Sequence, residues 1–169
     1  VNFGIIYGQS AFGLAQNLNI TRTEAKGIID SYFAQYPTIK AYMDGAIQKA
    51  RENGYVETIM KRRRYLKDIN SANAVVRGFA ERNAVNAPIQ GSAADVIKLA
   101  MINVHSAMLK NKLKSKMLLQ VHDELVFDVH IDEIDALQSI VKKEMESAVK
   151  LEVPLDVEME IADNWLDAH

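Results

Sequence analysis

Two apolar, β-prone runs flank three polar residues in the second half of the chain. The runs are Met117–Val121 and Leu125–Val129, and the residues between them are His122, Asp123 and Glu124. Because neither run contains Gly or Pro, the segment predicts a β-hairpin that bends at His122 and Asp123. Apolar and polar residues alternate along the second run, so we expect one of its faces to be buried. The sequence therefore predicts an antiparallel pair of strands with a polar tip.

The polar tip of this hairpin displays a carboxylate. Neighbouring side chains of an extended strand point to opposite sides, so Asp123 and Glu124 are poorly placed to hold one ion together. Asp123 is therefore the candidate metal ligand. An acidic surface turn is the more common meaning of three such residues, and the rest of the chain must decide between the two interpretations.

Helical patterns fill the chain before the hairpin. Ser10 and the capping-box sequence Thr21–Glu24 are expected to begin two helices. A third helix is expected from Pro37 to a stop at Gly54, and a fourth pattern starts near Ser71. The first third of the chain is therefore expected to be helical.

The fourth helical pattern contains two residues that break helices. Pro88 and Gly91 are expected to interrupt it and Ser92 to restart it, which predicts a kinked pair of helices. Another helix is expected after the hairpin, and the alternation of apolar and acidic residues in Val153–Ile161 predicts a half-buried strand. The order of elements predicts an α+β fold, with the hairpin and the C-terminal strand in one antiparallel sheet covered by helices.

Composition excludes several classes of protein. The chain has 169 residues, 49% of them hydrophobic, which suits a core shared by one domain or two subdomains. It has no cysteine, which excludes disulfides, thiolate metal sites and a cysteine nucleophile. No apolar run approaches the ~20 residues of a membrane span, and no signal-peptide pattern opens the chain, so we expect a soluble intracellular protein. The absence of an initiator Met indicates an excerpt from a longer protein.

Net charge gives no sign of a nucleic-acid partner, since 20 Lys and Arg stand against 22 Asp and Glu. Such binding must come from local clusters. One cluster is the run Lys61-Arg62-Arg63-Arg64, which is expected to lie in a short hairpin or extended loop. The run fits a solvated surface and a phosphate-contacting loop about equally well, and Arg62 and Arg63 are the candidate DNA contacts.

Arg82, Asn86 and Gln90 recur every four residues and would form one polar stripe on a helix. Arg supplies charge for phosphates, while Asn and Gln combine donors and acceptors that suit base edges, including those of the minor groove. Such a stripe can follow a nucleic-acid strand without reading its sequence. A stripe that only faces solvent has the same spacing.

A pair of aromatic residues, Phe3 and Tyr7, lies four residues apart beside Gly4 and Gly8. Aromatic rings stack on bases and sugars, and glycines permit close approach of the backbone. The alternative is that both rings pack into a core, which is the commoner fate of a lone Phe and Tyr.

In their order, three of these motifs resemble the C-terminal part of the bacterial family A DNA polymerases. They are the runs Asn2–Gly8, Arg82–Gly91 and Gln120–Glu124, the second of which ends Asn-Ala-Pro-Ile-Gln-Gly. The resemblance continues through Glu152–Leu155 and Asn164-Trp165 to the end of the chain, so it covers essentially all of it.

The resemblance implies part of a fingers subdomain over residues 1–81 and part of a palm subdomain over residues 82–169. Phe3 is expected to face the sugar of the incoming nucleotide, and Tyr7 is expected to guard the site of the templating base. Three further residues correspond to contacts with the template and the minor groove: Arg82, Asn86 and Gln90.

At the hairpin tip the resemblance makes Asp123 a catalytic metal ligand, places His122 near the primer terminus and gives Glu124 a supporting role. The expected cofactor is Mg²⁺, as two ions in the complete enzyme, which would activate the primer 3′-hydroxyl and stabilise charge on the attacking and leaving oxygens. The expected partners are primer–template DNA and deoxynucleoside triphosphates. The expected activity is DNA-directed primer extension, in replication and repair in the bacterial cytoplasm.

The chain also departs from the family pattern. The family's second metal-binding aspartate, and the Arg and Lys that hold the triphosphate, lie upstream and are absent here. We therefore expect the chain alone to be inactive, and its exposed palm edges to favour self-association. In the basic hairpin Lys61 and Lys67 replace the usual Gly and Pro. Since Gly is favoured where φ is positive, the shape of that turn stays open.

Two rival functions remain. The chain could serve only as a DNA-binding or interaction module, which its near-neutral charge disfavours. A single-subunit RNA polymerase shares the His-Asp turn, but the Asn-Phe-Gly run at residues 2–4 fits the DNA enzymes better.

Overall fold

The structure is a computed structural model that describes residues 2–168, except for the side chain of Phe3. The chain divides into two compact units, Val1–Ser92 and Ala93–His169. Helices predominate, and the strands form two separate two-stranded antiparallel sheets, so the predicted α+β class is confirmed. None of the described helices combines the length and the apolar character that crossing a membrane requires.

The first unit opens with helices whose ends follow from local capping. They are α1 (Asn2–Ile6), α2 (Ala11–Leu18), α3 (Arg22–Gln35) and α4 (Pro37–Asn53). Ser10 Oγ accepts a hydrogen bond from Gly13 N at 3.2 Å at the start of α2, and Thr21 and Glu24 form the predicted capping box of α3. Gly54, with φ +76°, ends α4. The predicted helices of this region are confirmed.

A short hairpin follows α4, as the sequence predicts. Strands β1 (Tyr55–Glu57) and β2 (Arg63–Tyr65) pair antiparallel, with Tyr55 opposite Tyr65 and Glu57 opposite Arg63. The strands are anchored by an apolar cluster that joins α4, the hairpin and the next helix. Its buried members are Ala50, Val56, Leu66, Ile69, Ala80, Ala84 and Ala87.

The long helix α5 (Ala74–Lys110) corrects one prediction. It runs unbroken for 37 residues with Pro88 inside it, so the predicted interruption at Pro88 and Gly91 is wrong. Proline removes one backbone N–H and therefore one helical hydrogen bond, but buried apolar residues on this stretch hold the helix in place. Side chains add support, since Ser92 Oγ donates to the Pro88 carbonyl at 2.5 Å and the Tyr42 hydroxyl donates to the Val85 carbonyl at 3.2 Å.

The second unit contains the predicted central hairpin. Strands β3 (Lys116–Val121) and β4 (Glu124–Asp128) pair antiparallel around a two-residue bend, and Leu118 is an extra residue in β3 that interrupts the register. A 3₁₀ turn (Ile131–Glu133) and α6 (Ile134–Glu146) follow. The hairpin packs on a core formed by α5 and α6, whose buried members are Val104, Met108, Leu137 and Val141.

The predicted C-terminal strand is wrong. Residues 153–161 form no strand ladder with any described residue, although their burial does alternate. Leu155, Val157 and Met159 are half-buried, and Met159 packs against the core of the unit. Alternation specifies which face is buried, whereas a strand also needs a hydrogen-bonding neighbour, and within residues 2–168 β3 and β4 pair only with each other.

Candidate functional site

The tip of the central hairpin has the geometry that the sequence predicts. His122 and Asp123 form the bend, and Val121 pairs with Glu124 across it. His122 has φ +51°, and tight hairpin turns of this kind need a positive φ in the bend. Histidine tolerates this conformation better than most residues, and the Gln120 side-chain amide donates to the His122 carbonyl. The backbone of the bend is therefore held by its own neighbours.

The carboxylates at the tip differ in environment. Asp123 is exposed, whereas Glu124 is half-buried at the start of β4 and is not free of interactions. Among the described residues no three His, Asp or Glu side chains come together as a metal site. The second unit therefore presents Asp123 as one accessible oxygen ligand and not as a complete metal-binding cluster.

The base of the hairpin is fastened by a residue that sequence reasoning missed. The Glu133 carboxylate accepts hydrogen bonds from Lys114 N and Ser115 N, each at 2.9 Å, and from Ser115 Oγ at 2.6 Å. The Ser115 hydroxyl and the two backbone donors lower the pKa of Glu133 to about 2. Ser115 Oγ also accepts from His130 N at 3.0 Å, so this network joins the two ends of the hairpin.

The polar stripe lies on α5 in the first unit. Arg82 and Gln90 are exposed, and Asn86 is half-buried. The Asn86 Oδ1 atom is buried and makes no hydrogen bond with any residue that the structure describes. Buried amide oxygens normally have a donor, so this atom is unsatisfied, and a partner from outside could reach it only if the neighbouring groups moved.

Of the two aromatic residues in the N-terminal motif, the structure describes the side chain of Tyr7 but not that of Phe3. Phe3 belongs to α1, but its side chain lies outside the described part of the structure. Tyr7 follows α1 and is 38% exposed, so it is not a core residue. Gly8, with φ +80°, lies against Arg82, since a Cβ on Gly8 would be 3.1 Å from Arg82 Cγ. The structure thus brings the end of the Tyr7-Gly8 motif to the polar stripe.

The basic hairpin divides its cations between internal contacts and solvent. Arg62 Nη2 donates to the Gly91 carbonyl of α5 at 2.9 Å. Arg63 Nε donates to Glu57 at 2.9 Å, its guanidinium lies 4.4 Å from the centre of the Tyr55 ring, and the bond to Glu57 is the main cause of its raised pKa. The Arg64 side chain is exposed and makes no ion pair or hydrogen bond with the residues described, although the sequence favoured Arg62 and Arg63 as the DNA contacts.

Lys61 settles the shape of the turn that the sequence left open. It has φ +65°, a left-handed conformation in which Gly is favoured, and its N–H donates to the Thr58 carbonyl at 2.9 Å. The turn therefore keeps a positive φ although the residue is lysine.

Comparisons with known proteins agree with the motifs. The sequence model of the family described as DNA polymerase family A matches residues 1–167 of this chain. DNA polymerase I of Geobacillus stearothermophilus is 54% identical over 99% of this chain, and that of Lactococcus lactis subsp. cremoris is 52% identical over the same share. The chain spans 19% of the length of these relatives.

A solved structure is similar in fold as well as in sequence. It is the POL domain of Pol1 from M. smegmatis, in complex with a DNA primer-template and dNTP. Its TM-score is 0.90 at 48% identity, over 92% of this chain and 27% of that chain. The relatives named here are DNA polymerases, which disfavours the rival interpretation as an RNA polymerase.

Proposed function

The chain belongs to DNA polymerase family A, and we propose that it provides part of the active site and part of the DNA-binding surface of a template-directed DNA polymerase. The observation that carries the proposal is the exposed Asp123 at the tip of a tight hairpin, in a chain that matches the family over residues 1–167. The activity is that of a longer enzyme, to which this chain contributes.

This family implies a divalent metal cofactor, and we assign Mg²⁺ to it. Mg²⁺ keeps several waters and uses only one or two protein carboxylates, so one exposed aspartate fits as this chain's share of the site. Asp123 would hold the ion, and Glu124, the next residue and the first of β4, would support the turn. When bound, the metal supplies positive charge beside the primer 3′-hydroxyl and the triphosphate. His122, the other residue of the bend, would lie near the primer terminus.

The first unit would hold DNA and nucleotide. Arg82 would contact a phosphate, while Asn86 and Gln90 would donate to the acceptors that all base pairs present in the minor groove. The buried Asn86 Oδ1 would take its donor from water, and the amide nitrogen would face DNA. Tyr7 would lie at the templating base, and Phe3 at the sugar of the incoming nucleotide.

Two further assignments accompany this function. Residues 1–81 would belong to the fingers and residues 82–169 to the palm of the complete polymerase. Because the substrate would be chromosomal DNA, the enzyme would act in the bacterial cytoplasm.

Replacement of Asp123 by Ala in a complete polymerase that contains this chain tests the proposal. Turnover in primer extension should fall by about two orders of magnitude or more, because a metal ligand acts on the reacting oxygens. Asp128→Ala is the matched control, since Asp128 is an exposed aspartate at the far end of β4, the strand that follows the bend. Primer extension by Asp123→Ala at the rate of Asp128→Ala would overturn the role of Asp123.

A DNA-binding module without catalysis is the second candidate, favoured by the exposed stripe on α5. An electrophoretic mobility shift of labelled primer–template with this chain alone separates the two. Tight, salt-sensitive binding would favour the module, and weak binding would favour a part that needs the rest of the enzyme.

A further inference from the structure

The loop between β1 and β2 forms hydrogen bonds with α5 close to Pro88. Ile59 N donates to Ser92 Oγ at 2.9 Å, and Arg62 Nη2 donates to the Gly91 carbonyl at 2.9 Å. Ser92 Oγ in turn donates to the Pro88 carbonyl at 2.5 Å. All of these contacts lie within the first unit. The loop therefore bonds to the helical turn that follows Pro88.

This loop is itself closed by hydrogen bonds around Thr58. Thr58 N donates to the Arg62 carbonyl at 2.9 Å, Arg62 N donates to Thr58 Oγ1 at 3.2 Å, and Lys61 N donates to the Thr58 carbonyl at 2.9 Å. Thr58 is 9% exposed. A small polar ring of this kind fixes the position of the Arg62 guanidinium relative to the helix.

Gly91 is the residue on α5 that lets the loop approach so closely. Gly is unfavourable in a helix interior, and Gly91 does not have a positive φ that would require it. A Cβ at this position would lie 2.7 Å from Thr58 Cγ2, a distance that real Cβ atoms essentially never show. The next neighbours, Arg62 Nη2 at 3.7 Å and Thr58 Cβ at 4.0 Å, are in ordinary contact. The methyl group of Thr58 is therefore what excludes a larger residue.

We propose that Thr58, Ile59 and Arg62 form a clamp that positions α5 across its proline, so that Asn86 and Gln90 keep the placement needed for DNA. Pro88 lies between these two residues and lacks the N–H that would bond to the carbonyl one turn earlier, so the helix is weakest there. The clamp supports the turn on the other side of that point. Arg62 is then a positioning residue that acts through Gly91, and not a phosphate contact. The proposal rests on the proposed function.

A compensating pair of substitutions in the complete polymerase tests the clamp. Gly91→Ala should weaken primer–template binding about tenfold, because the clash forces loop and helix apart. Adding Thr58→Ser removes the methyl but keeps the hydroxyl that accepts from Arg62 N, so the double variant should recover to within about twofold of the parent. Gly45→Ala is the control in α4, where a Cβ would meet nothing within 4 Å. Binding by Gly91→Ala at the level of Gly45→Ala, or no recovery in the double variant, would overturn the clamp.

The salt dependence of binding separates positioning from phosphate contact for Arg62. A phosphate contact contributes about one unit to the slope of log affinity against log salt concentration. Arg62→Ala should therefore weaken binding with the slope unchanged, whereas Arg82→Ala should lower the slope by about one. A slope lowered by about one in Arg62→Ala would overturn its positioning role.

Failure of the proposed function has a different outcome. If Arg82→Ala and Gln90→Ala both bind DNA as the parent does, the stripe has no role in binding. The clamp then still requires that Gly91→Ala lower the unfolding temperature of the polymerase and that Thr58→Ser restore it. An unfolding temperature unaffected by Gly91→Ala would overturn the clamp independently of DNA.

Discussion

Replacement of Lys61 by Gly is expected to stabilise the protein, although it removes a charged side chain. Lys61 has φ +65°, and a left-handed conformation costs a residue with a Cβ about 1–2 kcal/mol. Glycine avoids this strain but gives the unfolded chain more entropy, which costs about 0.5–1 kcal/mol. The difference is a gain in the free energy of unfolding of about 0–1.5 kcal/mol, centred near 0.75 kcal/mol, or up to about 6 °C in the midpoint of a chain of this size.

Lys67→Gly is the matched control for this prediction. Lys67 is an exposed lysine of the same segment, and its φ is not positive. The substitution removes the same charge without relieving strain, so it should lower the free energy of unfolding by about 0.5–1 kcal/mol. Urea unfolding of the chain, followed by circular dichroism, measures both variants. Equal changes in the two variants, or a loss of stability in Lys61→Gly, would show that the positive φ of Lys61 does not strain the protein.

Two further predictions concern the base of the central hairpin and the core of the first unit. The pKa of Glu133 is about 2, below its usual 4.5, so the stability that its carboxylate provides is present above about pH 4.5 and is lost as pH falls toward 2. Glu133→Gln should therefore lose less stability than the parent when the pH falls from neutral to about 3. Unfolding curves at the two pH values measure this, and an equal loss in the variant and the parent would contradict the prediction. Leu14→Ala should cost about 2–5 kcal/mol of unfolding free energy because Leu14 is 1% exposed, whereas Leu18→Ala in the same helix, where the side chain is 40% exposed, should cost clearly less. Similar losses for the two leucines in a denaturant titration would argue against the described packing of α2.

The elements that could be predicted from the sequence are determined by residues close to one another in the chain. The capping box at Thr21 and Glu24 is made within one helical turn, and the bend at His122 and Asp123 lies between strands that adjoin it. The information that decides such elements lies within a few residues, so a single sequence contains it. The predicted buried face of the hairpin is only partly confirmed, because Phe127 and Val129 pack against the core of the second unit but Val126 on the other face is half-buried too.

The two wrong predictions concern interactions between distant residues. Pro88 removes a local hydrogen bond, but the buried face of α5 and the bonds from Ser92 and Tyr42 keep the helix continuous. The alternation in 153–161 reports correctly on burial, but the pairing of a strand depends on a neighbour that the pattern does not name. In both places tertiary context overrides the local preference.

The contacts that support the candidate site could hardly be predicted from the sequence. Arg62 and Gly91 are far apart in the chain, and only the structure shows that the arginine bonds to the glycine carbonyl. The one available signal was the glycine itself, because a glycine in a helix usually marks a close approach or an end. From the sequence, Gly91 was expected to interrupt the helix, whereas the structure shows a close approach to Thr58.

We propose that this chain provides a metal ligand through Asp123 and a contact with DNA through Gln90. Single-turnover nucleotide incorporation by the complete polymerase tests it most directly, since it gives both the maximal rate and the Kd for primer–template. Asp123→Asn, which keeps the size of the side chain and removes its charge, should lower the rate about 100-fold or more with Kd unchanged within about twofold. Gln90→Ala should raise Kd. A near-normal rate in Asp123→Asn would contradict the account.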